Sequence, residues 1–179
     1  MKLLVSPSPS IFFTAILAVD NTIFTDTLSL LSRKYGKPLH ILQPKHFRHT
    51  DYYSSEMGSD LIKGFIAFEP PFDQSRLLDR KLETRGLEWA LGYHDNDGFH
   101  RQVNIDPGYV SLYHVALATS KNFSHRVYLG EGIYGEVTLL YRTTGWELLP
   151  WTYPDYKILE VQTFLSRCRE SLKQYIEIV

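Results

Sequence analysis

Two short segments place carboxylate, phenol and amide groups beside turn-forming residues, and they are the part of the sequence best suited to chemistry. They read Asn104-Ile105-Asp106-Pro107-Gly108-Tyr109 and Trp151-Thr152-Tyr153-Pro154-Asp155-Tyr156. Asp-Pro-Gly is itself a turn signal, so Asp106 is either a turn residue or a functional carboxylate that shares a strand face with Asn104. Asp155 is well placed as a helix N-cap, which we favour, although helix N-termini also attract anions. Tyr109 and Tyr153 complete the candidates in these segments.

A predicted β-hairpin, residues 126–129 with 133–141, carries the next group of polar side chains. A three-residue loop at 130–132 would place Arg126 opposite Glu136. Tyr128, Tyr134 and Thr138 would share that face, whereas Val127, Leu129, Val137 and Leu139 would form the core face. A cross-strand ion pair of Arg126 with Glu136 would contribute about 0.2–1 kcal/mol. Two interpretations stay open: the pair is structural, or this face of the hairpin is functional. The nearby Lys121 and His125 favour a functional face.

The polar, aromatic stretch at 44–58 adds carboxylates outside any predicted strand. Asp51 and Glu56 lie there, and Tyr52 and Tyr53 follow Asp51 directly. A carboxylate beside paired tyrosines has little structural reason to be in a loop. His46 and His49 have a spacing that could bind a metal, but two loop histidines are more often solvated surface residues.

These motifs together resemble domain-of-unknown-function family 4416, a group of small prokaryotic proteins, over nearly the whole chain. The matching stretches are Asp51-Tyr52-Tyr53 with Glu56-Met57-Gly58, the two segments above, Ala118-Thr119 with Lys121, His125-Arg126-Val127-Tyr128, and Gly132 to Leu139. The resemblance implies a single-domain protein and brings no established activity. Members are sometimes labelled GTP-binding, yet this sequence has neither a phosphate-binding P-loop nor an Asn-Lys-x-Asp guanine motif.

Composition excludes several classes of protein. The 179 residues carry a formal net charge of -1, which creates no general attraction for nucleic acid or anionic membranes. A single cysteine allows no internal disulfide and no cysteine-based zinc site, which suits a reducing cytoplasm. The apolar run at 11–19 is too short for a membrane helix, and Pro7 and Pro9 interrupt a signal-peptide pattern. We therefore expect a cytoplasmic protein of one domain, residues 1–179, with a loose leader at 1–10.

The elements that must position these groups follow from apolar periodicity. Strands are predicted at 11–19, 39–42, 61–68, 101–105, 112–119 and 146–149, besides the hairpin. Helices are predicted from Asp20–Thr22 to Gly36, from Asp73 to Gly92, and after Asp155, and His94 to Gly98 is predicted as a surface loop. This order predicts an α+β sandwich, for which we favour a ferredoxin-like core extended by an antiparallel meander and a C-terminal helix.

Two functions fit the candidate residues. The candidate residues include five carboxylates (Asp51, Glu56, Asp106, Glu136, Asp155) but only two fixed cations, Lys121 and Arg126. Because unpaired carboxylates in one cleft would repel one another, they either pair with these cations and with tyrosines or hold a divalent metal such as Mg²⁺. The first hypothesis is an enzyme that binds a phosphorylated or nucleotide-like small molecule. Lys121 and Arg126 would bind phosphate in it, and Asp106 and Glu136 would act as acid and base or hold the metal.

The alternative is a non-catalytic module with a tyrosine-rich cleft for a metabolite or protein partner, in which each carboxylate is tied up in a structural pair. RNA binding ranks third, because the charge balance argues against nucleic acid. The sequence assigns no resident cofactor and no oligomeric state.

Overall fold

A computed structural model describes residues 7–47 and 54–178, and most of its strands form one antiparallel sheet. The strands are β1 (Ile11–Ala18), β2 (Pro38–His46), β3 (Ile62–Phe68), β4 (Tyr93–Asp95), β5 (Gly98–His100), β6 (Val103–Val110), β7 (His114–Thr119), β8 (Val127–Gly130), β9 (Ile133–Arg142) and β10 (Gly145–Leu148). The helices are α1 (Asn21–Tyr35), α2 (Ser54–Met57), α3 (Leu77–Leu91) and α4 (Leu159–Ile178), with 3₁₀ turns at Gln74–Arg76 and Pro154–Lys157.

The first half of the chain confirms the predicted ferredoxin-like core. In the sheet order β10-β9-β7-β6-β1-β3-β2, the segment β6-β1-β3-β2 has the strand order of a split βαβ pair, with α1 and α3 as the crossovers. All of these pairings are antiparallel. The strands β7, β9 and β10 extend the sheet as the predicted meander, and β8 pairs with β9.

Helices cover both faces of this sheet, which explains why β1 is apolar except for Thr14. All eight residues of β1 are buried. Alternate residues of β1 enter two cores, Phe12 and Ile16 with α1 and α3 on one face, and Phe13 and Ala15 with α4 on the other. The face of α4 that packs on the sheet is apolar, and Cys168 is a buried packing residue on it.

Local signals delimit α1 and the start of α3 as predicted. Asp20 caps α1, with its carboxylate accepting from Ile23 N at 2.8 Å, and Gly36 ends the helix with a φ of 100°. Asp73 accepts from Ser75 N in the 3₁₀ turn that leads into α3. Ser10, at the end of the predicted leader, is buried and bridges to Phe72.

Three local predictions were wrong. Asp106-Pro107-Gly108 is the interior of β6 and pairs with β1, because its apolar neighbours Val103, Ile105 and Val110 are drawn into the core. Residues 94–98 belong to the two-stranded β4–β5 hairpin, in which Tyr93 pairs with His100. Asp155 does not cap α4: it lies in the preceding 3₁₀ turn, and its carboxylate is directed to Lys63.

The β8–β9 hairpin keeps the predicted register, but its faces agree with the prediction only in part, since Leu139 is buried as predicted and Val127 is not. Val127 pairs with Gly135, one step from the predicted Arg126–Glu136 pair, and the turn is shortened to Glu131-Gly132 with a bulge before Gly130. Val127 is 70% exposed, whereas Glu136 and Thr138 are buried. The polar face points inward because the segment around Tyr153 packs over it and supplies hydrogen-bond partners. Within the described residues, no helix is long and apolar enough to cross a membrane.

Candidate functional site

A cavity of about 700 Å³ opens where strands β6 and β7 separate. The two strands pair only from Gly108 onward, since the β6–β7 register begins at Gly108 and Leu117. Pro107 has no N–H, and alternate residues of a strand direct their backbone polar groups to the same side. Ile105 lies two residues earlier, and its N–H and carbonyl point away from β1 and bond to side chains of α3. Pro107 should point to the same side but has no N–H to donate to β7. Its absence favours the separation of β6 from β7 before Gly108.

Side chains of α3 take the place of the missing strand. Lys81 Nζ donates to the carbonyl oxygen of Ile105 at 3.1 Å, and Glu88 Oε1 accepts from Ile105 N at 2.6 Å. Lys81 and Glu88 are two helical turns apart and therefore project from the same face of α3. The open edge of β6 is thereby satisfied by two ionisable side chains that also line the cavity.

A continuous chain of polar contacts runs along one wall. Lys81 Nζ lies 3.0 Å from Asp106 Oδ1, and Asn104 Nδ2 donates to Asp106 Oδ2 at 2.7 Å. Arg101 continues the chain by donating to Asn104 Oδ1 at 3.3 Å and to Glu56 Oε2 at 2.5 Å. The predicted placement of Asn104 and Asp106 on one strand face is confirmed, although the strand continues where a turn was predicted.

The inner end of the cavity is formed by β3 and the 3₁₀ turn before α4. Lys63 Nζ contacts Asp155 Oδ2 at 2.5 Å, and both side chains are largely buried. Tyr156 is 1% exposed, its ring packs edge-on against Phe65, and its hydroxyl has no hydrogen-bond partner among the described residues.

The environment separates the pKa values of two wall carboxylates. Burial dominates at Glu88 and raises its pKa above the ordinary value, although Lys81 and the Ile105 N–H act in the opposite direction. Burial also disfavours the charged form of Asp106, but Lys81 and Lys63 outweigh it and hold the pKa of Asp106 below its ordinary value. Protons are therefore retained more readily by Glu88 than by Asp106.

The outer rim combines a cation with an aromatic pair. Trp89 is 61% exposed and stacks on Phe99 with ring centroids 4.2 Å apart and an interplanar angle of 17°. Arg85, one helical turn before Trp89, is exposed and forms no ion pair within the described ranges. Lys121 lies on the rim contributed by the end of β7.

A second polar cluster lies next to the cavity and is closed to solvent. The Glu136 side chain is fully buried, and its Oε2 accepts from Arg126 Nε at 2.6 Å and lies 3.3 Å from His125 Nε2. Thr138 donates to the other oxygen, Oε1, at 3.1 Å. Arg126 Nη2 donates to the hydroxyl of Tyr153 at 2.7 Å, and Tyr153 lines the cavity. Tyr153 therefore joins the two groups.

The predicted site residues divide accordingly. Those that line the cavity are Glu56, Asn104, Asp106, Lys121, Tyr153 and Asp155. Those in the closed cluster are His125, Arg126, Glu136 and Thr138. Tyr109 bonds to His114, and Tyr128 packs on Tyr134, so neither reaches the cavity wall. Asp51, Tyr52 and His49 lie outside the described residues.

Sequence reasoning missed the cations and aromatic rings of the wall and one of its carboxylates, Glu88. The residues concerned are Lys63, Lys81, Arg85, Glu88, Trp89, Phe99, Arg101 and Tyr156. Four of them, Lys81, Arg85, Glu88 and Trp89, follow helical spacing on α3. A polar stripe at that spacing, in a helix whose apolar periodicity is weak, was the signal that could have revealed them.

Metal binding has no support from the protein side chains that the structure describes. Within residues 7–47 and 54–178, no three His, Cys, Asp or Glu side chains come close enough to hold a metal ion. Asp106 and Glu136 face Lys81 and Arg126 instead. His46 is exposed at the end of β2.

Comparison with known proteins identifies one family. A family model described as "Domain of unknown function (DUF4416)" matches residues 8–172, which is nearly the whole chain. No curated protein and no solved structure matches the chain.

Proposed function

The chain belongs to the DUF4416 family, and we propose that its cavity binds a phosphorylated, nucleotide-like small molecule. The observation that supports this most directly is the composition of the wall: exposed Arg85 and the Trp89–Phe99 stack lie side by side on the rim of a 700 Å³ cavity. Small-molecule sites commonly have volumes of about 300–1,000 Å³. An aromatic face suits a planar ring, and a guanidinium suits phosphate oxygens.

The charges of the wall also favour an anionic ligand. Five lining cations (Lys63, Lys81, Arg85, Arg101, Lys121) accompany four lining carboxylates (Glu56, Glu88, Asp106, Asp155). All four carboxylates are already close to a cation, namely Glu56 and Glu88 with Arg101, Asp106 with Lys81 and Asp155 with Lys63. A bound phosphate would therefore meet neutralised carboxylates and the positive charge of Arg85.

The pairing of these carboxylates with cations favours a ligand-binding role over the catalytic role. The catalytic hypothesis assigned acid and base roles to Asp106 and Glu136, but Glu136 does not line the cavity and is held by Arg126 and His125. Carboxylates held in ion pairs were the expected feature of a binding module. We therefore place ligand binding first.

A specific observation supports turnover as the second candidate. Glu88 and Asp106 line the same cavity, and their pKa values are shifted in opposite directions. Two carboxyl groups separated in this way are suited to act as acid and ionised partner in one reaction. Glu88 would replace Glu136 as the proton donor in this hypothesis. Any divalent cation would enter with the phosphates of the ligand, as Mg²⁺ commonly does.

Thermal unfolding with nucleoside monophosphates, the matching nucleosides and inorganic phosphate tests the binding proposal. A ligand at one hundred times its Kd adds about 2.7 kcal/mol of stability, which raises the midpoint by roughly 5–10 °C for a chain of this size. We expect the monophosphates to raise the unfolding midpoint more than the nucleosides or inorganic phosphate do, with and without Mg²⁺. Equal midpoints with every compound would refute the proposal.

Release of inorganic phosphate from the bound nucleotides tests turnover. We expect Glu88→Gln to abolish release while retaining binding, because the amide cannot donate the proton. Binding without any release in the wild-type protein would leave the chain a binding module.

A further inference from the structure

The hydroxyl of Tyr156 differs from those of two half-buried tyrosines, Tyr35 and Tyr153. Tyr35 donates to Glu83 at 2.8 Å, and Tyr153 accepts from Arg126 at 2.7 Å. Tyr156 is more deeply buried than either, yet its hydroxyl bonds to no residue in the described part of the chain. An unsatisfied buried hydroxyl opposes folding, so a group retained in this state at a cavity wall indicates a role outside stability.

The surroundings of this hydroxyl define what it can bind. Burial raises the pKa of Tyr156 well above its ordinary value, and the charges of Asp155 and Asp106 act in the same direction. The phenol therefore keeps its proton and can both donate and accept. Asp155 Oδ2 is paired with Lys63 and has no other partner among the described residues, so its second lone pair can still accept a hydrogen bond.

A phosphate does not suit the inner end. Its oxygens only accept hydrogen bonds, and they would approach the carboxylates of Asp155 and Asp106, whose cations are already engaged. A neutral alcohol suits it well, because one hydroxyl can donate to a carboxylate and accept from a phenol. The rim, with exposed Arg85 and the Trp89–Phe99 stack, offers the complementary places for a phosphate and a planar ring.

We infer that Tyr156 and Asp155 bind the hydroxyl groups of a ribose, so that the ligand is a ribonucleotide whose sugar points inward. This inference rests on the proposed function and adds the sugar and its orientation. In a nucleotide the ribose links the base to the phosphate. With the sugar inward, both the base and the phosphate therefore reach the rim, where Trp89 and Arg85 lie.

Calorimetric titration of wild type and Tyr156→Phe with ribonucleoside monophosphates and their dideoxy counterparts tests the inference. The dideoxy compounds lack only the two sugar hydroxyls, and the phenylalanine lacks only the phenol oxygen. We expect wild type to prefer the ribonucleotide by about 3- to 10-fold per hydrogen bond. We expect Tyr156→Phe to lose most of this preference while binding the dideoxy compound as well as wild type does.

Tyr35→Phe is the matched control, since it removes a satisfied tyrosine hydroxyl on α1 that is not part of the cavity wall. It should lower the unfolding midpoint and leave the ribose preference intact. Tyr156→Phe should keep or raise the midpoint, because it removes an unsatisfied group. A midpoint lowered as in Tyr35→Phe would show that the hydroxyl is already satisfied without ligand, and would overturn the inference.

The titrations also separate this inference from the proposal on which it rests. An equal ribose preference in wild type and Tyr156→Phe, with monophosphates still bound, would overturn the inference and leave the binding function standing. Failure of wild type to bind any monophosphate, ribose or dideoxy, would refute the proposed function and the inference with it.

Discussion

The cavity and the neighbouring Glu136 cluster contain the same kinds of group but differ in how those groups are satisfied. In the cluster, both carboxylate oxygens of Glu136 have partners, and neither Glu136 nor Arg126 is appreciably exposed. In the cavity, Asp106 is 30% exposed, Arg85 is open to solvent, and the Tyr156 hydroxyl has no partner within the described residues.

This difference indicates distinct roles for two regions that the sequence placed together. A fully satisfied buried network stabilises one arrangement of the chain, whereas unsatisfied or exposed groups around a cavity are available to a ligand. Tyr153, bonded to Arg126 and lining the cavity, belongs to both regions.

The largest expected effect is on stability, from Glu136→Ala. Removing one partner of a buried ion pair leaves Arg126 uncompensated, which typically costs about 3–5 kcal/mol. Urea denaturation monitored by fluorescence measures the loss. Glu147→Ala is the matched control, because Glu147 forms an exposed pair with Arg142 and should cost about 0–1 kcal/mol. Equal losses in the two variants would remove the contrast between the cluster and the surface.

Lys81→Met should be less destabilising than Glu136→Ala, because the wall of the cavity is more open to water than the Glu136 cluster. Methionine preserves most of the volume but loses the bonds to the Ile105 carbonyl and to Asp106, with an expected cost of about 1.5–3 kcal/mol. Asp106 keeps Asn104 as a donor and is accessible to water, unlike Arg126 in the cluster. A loss exceeding that of Glu136→Ala in the same denaturation assay would contradict our view of the cavity as the more open region.

Trp89→Ala should affect binding with little effect on stability. Loss of base stacking costs about 1–3 kcal/mol, which is a 5- to 150-fold weaker affinity for nucleoside monophosphates in calorimetric titration. Tyr113→Ala removes a comparably exposed aromatic residue that does not line the cavity and should leave the affinity unchanged. Similar affinities for wild type and Trp89→Ala would show that the rim aromatic pair is not part of the binding site.

The smallest expected effect is a change in how stability depends on pH. Because the folded state raises the pKa of Glu88, its contribution to stability is complete below the ordinary value of about 4.3 and is lost as the pH rises through the raised value. Relative to Glu88→Gln, wild type should therefore lose stability with rising pH in this range.

Glu83, also on α3, is the control of opposite sign for this experiment. Burial opposes its ionisation, but hydrogen bonds from Arg80 and Tyr35 lower its pKa. Its contribution should therefore be present above the ordinary value and lost as the pH falls through the lowered one. Parallel pH profiles for wild type and Glu88→Gln, from urea denaturation at each pH, would contradict the proposed protonation of Glu88.

Much of the fold could be predicted, because its elements are encoded locally. The apolar run of β1, the Asp20 cap and the stripe of α4 each act through neighbours a few positions away in the sequence. The errors arose where tertiary contacts override a local preference. Asp-Pro-Gly favours a turn, yet pairing with β1 and bonds from α3 hold it as a strand.

The candidate site was predicted only in part, for a related reason. The motif residues that line the cavity were identified because carboxylates and tyrosines beside turn residues are conspicuous. The cations were missed because Lys63, Lys81 and Arg85 have ordinary local sequence around them. Glu136, for which a catalytic role was predicted, lies in the closed cluster with His125 and Arg126, and its local sequence does not reveal these partners.

The sequence by itself determined the order of the main-sheet strands and of the three long helices, the apolar faces of the helices, and the carboxylates and tyrosines that lie near the site. Tertiary structure alone decided which carboxylates line a cavity and which are closed off, and it brought the cations of β3 and α3 to Asp155 and Asp106. The physical reason is the separation along the chain over which each kind of interaction acts. Backbone preferences and apolar periodicity act over a few residues, whereas an ion pair or an unsatisfied hydroxyl depends on atoms a few ångströms away that come from distant parts of the chain.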